Sequence, residues 1–210
     1  MCLLLQHSEK QPEYRTCALL FLFTYAFLLR MPSEAIHATA GEGDNFLCRE
    51  GELLVLTLKR RKNKREGSRL VRGCWCSECP LTCPLHVLGP MLDACNNGDR
   101  MFPLVTAASA RKTLREMLAA LEIPRAREYR THDLRRGHAK DLQISGLLFA
   151  GLCDSLCGRH CVSAGAPLWK ILEAGEWKSP AFMDYLDMHK LETDLVVQAH
   201  VDESEDEIEV

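Results

Sequence analysis

The sequence lacks the features of a secreted or membrane-spanning protein. Its N-terminus has neither a basic start nor a small-residue cleavage site, so no secretory signal is expected. The apolar run Cys17–Leu29 is shorter than the roughly 20 residues that a spanning helix needs, and it contains Thr24 and ends at Arg30. We therefore expect a buried helix over 14–29, no membrane partner and a reducing compartment.

No internal repeat and no long Gly/Ser linker divides the chain, which argues against a repeat array or separated domains. With 210 residues, of which 26% are charged, the chain is long enough for one domain with a sizeable core, and its composition is that of a globular protein. We predict an N-terminal tail over 1–13, a single domain over 14–200 and an acidic disordered tail over 201–210.

The net charge of −3 does not indicate nucleic-acid binding, but the basic residues are unevenly distributed. The segment Lys59–Arg72 holds eight basic residues against the single Glu66. Such a strip is either a localised anion-binding surface or a solvated hairpin tip. The candidates for contacting a DNA backbone are Lys59, Arg60, Arg61, Lys64 and Arg65.

The order of the predicted elements favours an α+β domain that is mostly helical. After the first helix, three strands are expected: one from Asn45, one over Glu52–Leu58 and one over Ser68–Arg72. They predict a small three-stranded antiparallel hairpin sheet with a basic turn at its tip. Further helices are predicted over Ser109–Leu121, from His132, over Leu168–Ala174 and from Pro180.

The chain has eleven cysteines, which in a reducing compartment indicate a metal site or buried thiols rather than disulfides. Zinc takes four soft ligands of the type that cluster here. The predicted set is Cys74, Cys76, Cys83 and His86, or a set in which Cys79 substitutes. Reduced thiols without a metal are the alternative. A second group with the same ligand types comprises Cys153, Cys157, His160 and Cys161.

Several polar residues that fit poorly with their surroundings would suit phosphodiester chemistry without a metal. They are Arg30, Lys62, His132, Arg135, Trp177 and Tyr185. Arginine forks match phosphate oxygens and could neutralise the charge that grows as a nucleophile adds to phosphorus. A lysine can protonate the leaving oxygen, and a histidine can accept the tyrosine proton. The tyrosine hydroxyl, with a free pKa of about 10, needs that help before it attacks.

The order of these residues resembles that of the tyrosine recombinases, the phage-integrase-like family. The segment "LLRMPSEA" around Arg30 is similar to the first-arginine box of the family. The segment "THDLRRGHA" is similar to the second box, with its histidine at His132 and its arginine at Arg135. In "EAGEWKSPAFMDYLD", Trp177 stands where most members carry histidine, and Tyr185 falls at the nucleophile position.

The basic segment "LKRRKNKREGSR" resembles the lysine-bearing β-hairpin of the same family. Lys62 is our choice for the catalytic lysine, with Lys64 and Lys59 as alternatives. The resemblance covers about residues 14 to 200, and its wording is most similar to that of eukaryotic recombinases related to Crypton-type DNA transposons.

The resemblance implies an integrase-like fold and strand cleavage by tyrosine attack. A 3′-phosphotyrosyl intermediate would form, and a 5′-hydroxyl from another strand would resolve it without a metal or a high-energy cofactor. It also implies double-stranded DNA as the partner, self-assembly on DNA as a dimer or tetramer, and a nuclear location in a eukaryote or a cytoplasmic one otherwise.

Two features depart from the family pattern. The span between Arg135 and Tyr185 is longer than relatives need, and the excess near 147–165 reads as an inserted loop or as retained intron sequence. Relatives also carry a core-binding domain before the first arginine, so this chain alone is expected to bind DNA weakly. Two other functions stay open: a DNA-binding remnant of a mobile element without activity, and a zinc-stabilised interaction module.

Overall fold

A computed structural model of the chain describes residues 1–61, 66–77 and 79–145. For 142–145 it describes the backbone alone. The described residues form an α+β fold, as predicted, with five α-helices and four strands in this part of the chain. The predictions on 147–165, on the tail 201–210 and on the last two helices fall outside it. So do those on Lys62, Lys64, Arg65, Trp177 and Tyr185.

The first two helices build the centre of the core. Helix α1 spans Cys2–Lys10, within the segment predicted as an N-terminal tail, and buries Leu4 and Leu5. Helix α2 spans Arg15–Ala26 and is buried continuously from residue 17 to 24, which confirms the predicted buried helix. A helix that is apolar on all sides belongs inside a core, and α2 contacts α1 and three later helices. Within the described part, no helix has both the length and the apolar character to cross a bilayer.

The chain reverses sharply after α2. Leu28 takes a left-handed backbone conformation with φ of 54°, which is uncommon for a residue with a side chain. Its side chain is fully buried, and this burial offsets the backbone strain. Arg30 follows in an extended conformation and opens a π-helical turn, Met31–Ala35. The reversal therefore sets the position of Arg30.

The sheet has four strands and is mixed, which corrects the predicted three-stranded antiparallel sheet. Its strands are β1 Thr39–Ala40, β2 Asn45–Glu50, β3 Leu53–Leu58 and β4 Ser68–Arg72, in the order β1-β2-β3-β4. Strands β2, β3 and β4 pair antiparallel, as predicted. Strand β1 pairs parallel with β2. Its two residues are too few for the alternating pattern by which a strand is recognised.

Three more helices follow: α3 over Pro84–Asp93, α4 over Ala107–Ala120 and α5 over His132–Ser145. Helix α4 begins before the predicted Ser109, because Thr106 caps it: Thr106 Oγ accepts from Ser109 N at 3.1 Å, and Thr106 N donates to Ser109 Oγ at 2.9 Å. Helix α5 begins at His132, as predicted. Helix α3 was not predicted, since the Gly89-Pro90 pair inside it usually indicates a turn.

A hydrogen bond joins α2 to α5. Tyr25, next to the end of α2, donates from its hydroxyl to Asp141 Oδ2 at 2.6 Å. Helices α2 and α5 also pack directly against each other. The end of α2, where the chain turns toward Arg30, therefore lies beside the second and third turns of α5, which carry His138 and Asp141. The first turn of α5 carries His132 and Arg135.

Candidate functional site

Glu34 forms a buried polar network close to the backbone of Arg30. Its Oε2 accepts from the backbone N of Arg30 at 2.7 Å, and its Oε1 accepts from Arg61 Nε at 3.2 Å. Arg61 also donates from its NH2 group to the carbonyl oxygen of Leu28 at 3.2 Å. The Glu34 and Arg61 side chains are only 4% and 5% exposed. This network fixes the backbone from which the half-buried Arg30 side chain extends.

The predicted DNA-contacting residues differ in where they lie. Arg61 is buried against Glu34, so its guanidinium stabilises the fold instead of facing solvent. Lys59 is exposed, and its Nζ pairs with Asp44 Oδ1 at 2.8 Å. Arg60 is also exposed. Of the predicted contacts within the described residues, Lys59 and Arg60 are therefore the ones that reach the surface.

Arg30 lies within electrostatic reach of the first turn of α5. His132 is exposed at the start of this helix, and Arg135 is buried one turn later. The pKa of His132 is lowered from its ordinary 6.5, first by partial desolvation and then by the positive charges of Arg135 and Arg136. Asp133 opposes this shift, and Arg30 adds to it. Three of the six predicted site residues, Arg30, His132 and Arg135, thus lie in the described part, and the charge of Arg30 is the smallest of these influences on the His132 pKa.

The inner side of α5 carries a buried histidine. His138 is 2% exposed and lies edge-on to the Tyr25 ring, with 4.3 Å between ring centroids. Its ring is also 6.2 Å from that of Trp75, and within the described part neither of its nitrogens has a hydrogen-bond partner. Burial first, and the nearby charge of Arg72 second, hold the pKa of His138 well below its ordinary value. Burial and the charge of Arg61 in turn lower the pKa of Arg72 to about 10, so Arg72 stays protonated at neutral pH.

We expect His138 to make the fold less stable in mild acid. Since its pKa is lowered in the folded protein, only the unfolded chain takes up the proton as the pH falls below about 6.5. The free energy of unfolding then decreases by up to about 1.4 kcal/mol per pH unit until the pKa of the folded state is reached. The free energy of unfolding, measured with urea at about pH 7 and about pH 5, should differ less between the two pH values in His138→Phe than in wild type. The exposed His37 supplies the matched control: His37→Phe should keep the wild-type difference, and a wild-type difference in His138→Phe would refute the assignment.

Cys74, Cys76, Cys83 and His86 form a cluster that could hold a metal ion. Their ligand atoms all lie within 4.8 Å of one another. From His86 Nδ1, the Sγ atoms of Cys74, Cys76 and Cys83 are at 3.6, 3.1 and 3.3 Å, and Cys83 Sγ is 3.8 Å from Cys74 Sγ. Tetrahedral zinc requires about 3.8 Å between two sulfurs and about 3.6 Å between sulfur and nitrogen. The first predicted ligand set therefore comes together with spacings close to those of a zinc site.

The candidate ligands come from a segment that follows β4 and runs into the first turn of α3, which we call the metal loop (residues 74–86). Cys83 lies immediately before α3, and His86 is in the first turn of that helix. The backbone N of Trp75 donates to Cys83 Sγ at 3.4 Å, so the two ends of the loop meet. The buried Trp75 ring, which packs on His138, connects the metal loop to α5.

The thiols of the cluster differ in acidity. Hydrogen bonding from the backbone N–H of Cys76 lowers the pKa of Cys74. Desolvation first, and then hydrogen bonds with Cys83 and Cys74, raise the pKa of Cys76 to about 12. Ionisation of one of the three adjacent thiols therefore disfavours ionisation of a second thiol. A bound cation would offset the repulsion between the thiolates.

The alternative ligand Cys79 lies outside this cluster. Its Sγ is 3.3 Å from the Sγ of Cys2, at the start of α1. The short 3₁₀ turn Pro80–Thr82 follows it and leads the chain to Cys83. The predicted alternative in which Cys79 substitutes as a ligand is therefore not the set that the structure assembles.

The sequence prediction did not single out three side chains that support the site: Tyr25, Trp75 and His138. Trp75 could have been noticed in the sequence, because it stands between Cys74 and Cys76, two of the predicted metal ligands. Tyr25 and His138 gave no local signal, since the contact between them depends on how α2 and α5 pack.

No protein-family model matches the chain, and the searches of curated proteins and of solved structures likewise find no match.

Proposed function

We propose that this chain is the catalytic domain of a DNA strand transferase of the tyrosine-recombinase kind. The observation that carries the proposal is the packing of α2, which leads to Arg30, directly against α5, which opens with His132 and Arg135. The charge of Arg30 also adds to the lowering of the His132 pKa. Coincidental similarity to two short motifs gives no reason for the helices beside them to pack together.

The geometry suits the binding of a phosphate diester. Glu34 fixes the backbone of Arg30, and an arginine on a fixed backbone can offer its fork of N–H donors to phosphate oxygens. The lowered pKa of His132 keeps this histidine neutral at pH 7, so it can accept a tyrosine proton. In the proposed step, Tyr185 Oη attacks phosphorus to form a 3′-phosphotyrosyl bond, and Lys62 protonates the departing 5′-oxygen. The roles of Tyr185 and Lys62 derive from the sequence resemblance.

The proposed partner is double-stranded DNA, on which the chain would assemble as a dimer or tetramer in the nucleus of a eukaryotic host. Within the described residues, the exposed Arg60 and Lys59 are suited to contacts with the DNA backbone. Phosphate contacts of this kind are independent of sequence and weaken with salt. They would orient the duplex, whereas the half-buried Arg30 would act on the phosphate that reacts.

The test is covalent trapping on a pool of nicked duplexes of randomised sequence, in which the short fragment beyond the cleaved phosphate diffuses away. Wild type should give a labelled protein–DNA adduct that survives SDS, and Tyr185→Phe should give none because it lacks the nucleophilic oxygen. Tyr129→Phe, which changes an exposed tyrosine outside the motifs, should keep the adduct. Arg30→Lys retains the charge but loses the planar fork, so it should slow adduct formation by about 100-fold.

The other outcomes of this test separate the alternative functions. An adduct that survives Tyr185→Phe would refute the assigned nucleophile. Salt-dependent DNA binding without an adduct, even when a core-binding domain is supplied, would favour an inactive remnant of a mobile element. An absence of any preference for DNA at low salt would favour the zinc-stabilised interaction module.

We further infer that the cluster of Cys74, Cys76, Cys83 and His86 binds zinc in a structural role. Three thiolates and one imidazole at near-tetrahedral spacing suit zinc and do not suit calcium or magnesium, which prefer oxygen ligands. Four protein ligands leave no open position for a substrate, as in structural zinc sites. Elemental analysis of protein purified without a chelator is expected to find stoichiometric zinc, and its absence would end this proposal.

A further inference from the structure

Cys2 and Cys79 form a pair of thiols that neither the proposed catalysis nor the metal cluster uses. Their Sγ atoms are 3.3 Å apart, although the residues lie 77 positions apart in the chain. Cys2 begins helix α1, and Cys79 lies in the metal loop just before its 3₁₀ turn. Both residues are partly exposed, so a small oxidant can reach them.

The two thiols of this pair differ in reactivity. Desolvation opposes ionisation of Cys79, but hydrogen bonds from the Thr82 hydroxyl, from Cys2 and from the backbone outweigh it and lower the pKa of Cys79. Desolvation first, and then the hydrogen bond with Cys79, raise the pKa of Cys2. Cys79 is thus the better thiolate, and Cys2 is a protonated thiol in contact with it. A reactive cysteine beside a resolving one has this arrangement.

We propose that Cys79 and Cys2 are a redox-modification site, at which peroxide oxidation of Cys79 leads to a disulfide that fastens α1 to the metal loop. Forming the bond requires the two sulfurs to approach by about 1 Å, to the normal S–S distance of about 2.05 Å. Helix α1 need not move far, because the buried Leu4 and Leu5 already hold it against the core.

The chemistry takes two steps and needs hydrogen peroxide as the oxidant. First, the Cys79 thiolate attacks one peroxide oxygen, the O–O bond breaks, and the departing hydroxide takes a proton to become water, leaving a sulfenic acid. Second, the sulfur of Cys2 attacks Sγ of Cys79, the S–O bond breaks, and the sulfenic oxygen leaves as water with the proton of Cys2. Two thiols lose two electrons in total, and one peroxide becomes two waters. A dithiol reductant reverses the bond by exchange.

The other described cysteines lack this combination of features. Cys17 is buried. Cys48 and Cys95 direct their sulfurs to backbone carbonyl oxygens, and desolvation, followed by a nearby carboxylate, raises the pKa of each. The remaining cysteines belong to the metal cluster, where a bound ion would withhold their thiolates from oxidants. Among the residues that the structure describes, Cys2 and Cys79 are therefore the two sulfurs outside the cluster that touch.

The experiment treats the purified protein, never exposed to chelator, with about one equivalent of hydrogen peroxide, the amount that one disulfide consumes. The remaining thiols are then alkylated and the peptides are mapped by mass spectrometry. We expect a peptide pair cross-linked through Cys2 and Cys79, faster migration on a non-reducing gel, and reversal of both by dithiothreitol. In Cys2→Ser, Cys79 should be captured by dimedone as the sulfenic acid. In the matched control Cys95→Ser, the cross-link should form as in wild type.

The peptide map of wild type decides the proposal without any variant having to fold. The proposal is overturned if Cys2 and Cys79 are both recovered as alkylated thiols while other cysteines have been oxidised. It is also overturned if dimedone labels Cys2 rather than Cys79 when single serine variants are compared. Neither result depends on whether the chain cleaves DNA, so failure here leaves the proposed function to its own test.

Discussion

Cys83→Ser is expected to abolish zinc binding and to lower the free energy of unfolding by about 3–5 kcal/mol. That loss is a fraction of the roughly 10–16 kcal/mol that structural zinc supplies to zinc-finger peptides, because this chain also has a large apolar core. Cys83 is fully buried, its Sγ lies 3.8 Å from Cys74 Sγ and 3.3 Å from His86 Nδ1, and it accepts a hydrogen bond from the backbone N of Trp75. Serine offers a hard oxygen that ligates zinc poorly at this position.

Two measurements and a control variant check the zinc prediction. Elemental analysis should find stoichiometric zinc in wild type and almost none in Cys83→Ser. A strong chelator should lower the Tm of wild type and leave that of Cys83→Ser unchanged, since the variant has no ion to lose. Cys95→Ser, which changes a partly exposed cysteine outside the cluster, should retain both the metal and the chelator response. A wild-type Tm that is indifferent to complete metal removal would contradict a structural role.

Glu34→Gln is expected to destabilise the fold by about 3–5 kcal/mol, because it leaves the charge of a buried arginine without its carboxylate. Glu34 and Arg61 are almost entirely removed from solvent, and their side chains meet at 3.2 Å. Glutamine has nearly the same shape and can still accept from the backbone N of Arg30, so the change isolates the charge. Denaturant unfolding measures the loss. Adduct formation on nicked DNA should also decrease, since the turn that holds Arg30 loosens.

The matched control for this change is Glu116→Gln in helix α4. Glu116 Oε1 pairs with Lys112 Nζ at 3.7 Å, but the side chains are 45% and 78% exposed. Exposed pairs of this kind contribute about 0–1 kcal/mol, so Glu116→Gln should be nearly neutral. If Glu34→Gln and Glu116→Gln have equal effects, the buried pair is not what stabilises this turn.

The elements predicted correctly are those with a strong local pattern. Helix α2 is almost entirely apolar, and α5 begins at a recognisable boundary. The strands β2, β3 and β4 are short segments separated by turn residues. The sequence prediction missed β1, which is two residues long and is defined by its pairing with β2. It also missed α3, which contains Pro90, and a proline inside a helix is unfavourable. Both depend on tertiary contacts that a local pattern does not encode.

The candidate site was predictable only in part, for a similar reason. Residue spacing identified the four residues that could hold a metal ion but left Cys79 as an alternative. Which sulfurs converge depends on the course of the chain through the 3₁₀ turn after Cys79. The basic strip predicted Arg61 as a DNA contact, yet Arg61 turns inward to Glu34, a residue 27 positions earlier. A run of basic residues indicates an exposed surface on average, and one buried carboxylate is enough to draw a single member inside.

The hydrogen bond from Tyr25 to Asp141 has a consequence for the order of folding. It joins positions 116 apart in the chain, and contacts across such long separations form slowly because the loop between them must first close. During synthesis α2 emerges early, with a strongly apolar surface and no partner in α5, so nascent chains need protection from aggregation until α5 arrives. A truncated chain that ends before α5 would therefore be a poorly soluble species, and it would also lack His132 and Arg135.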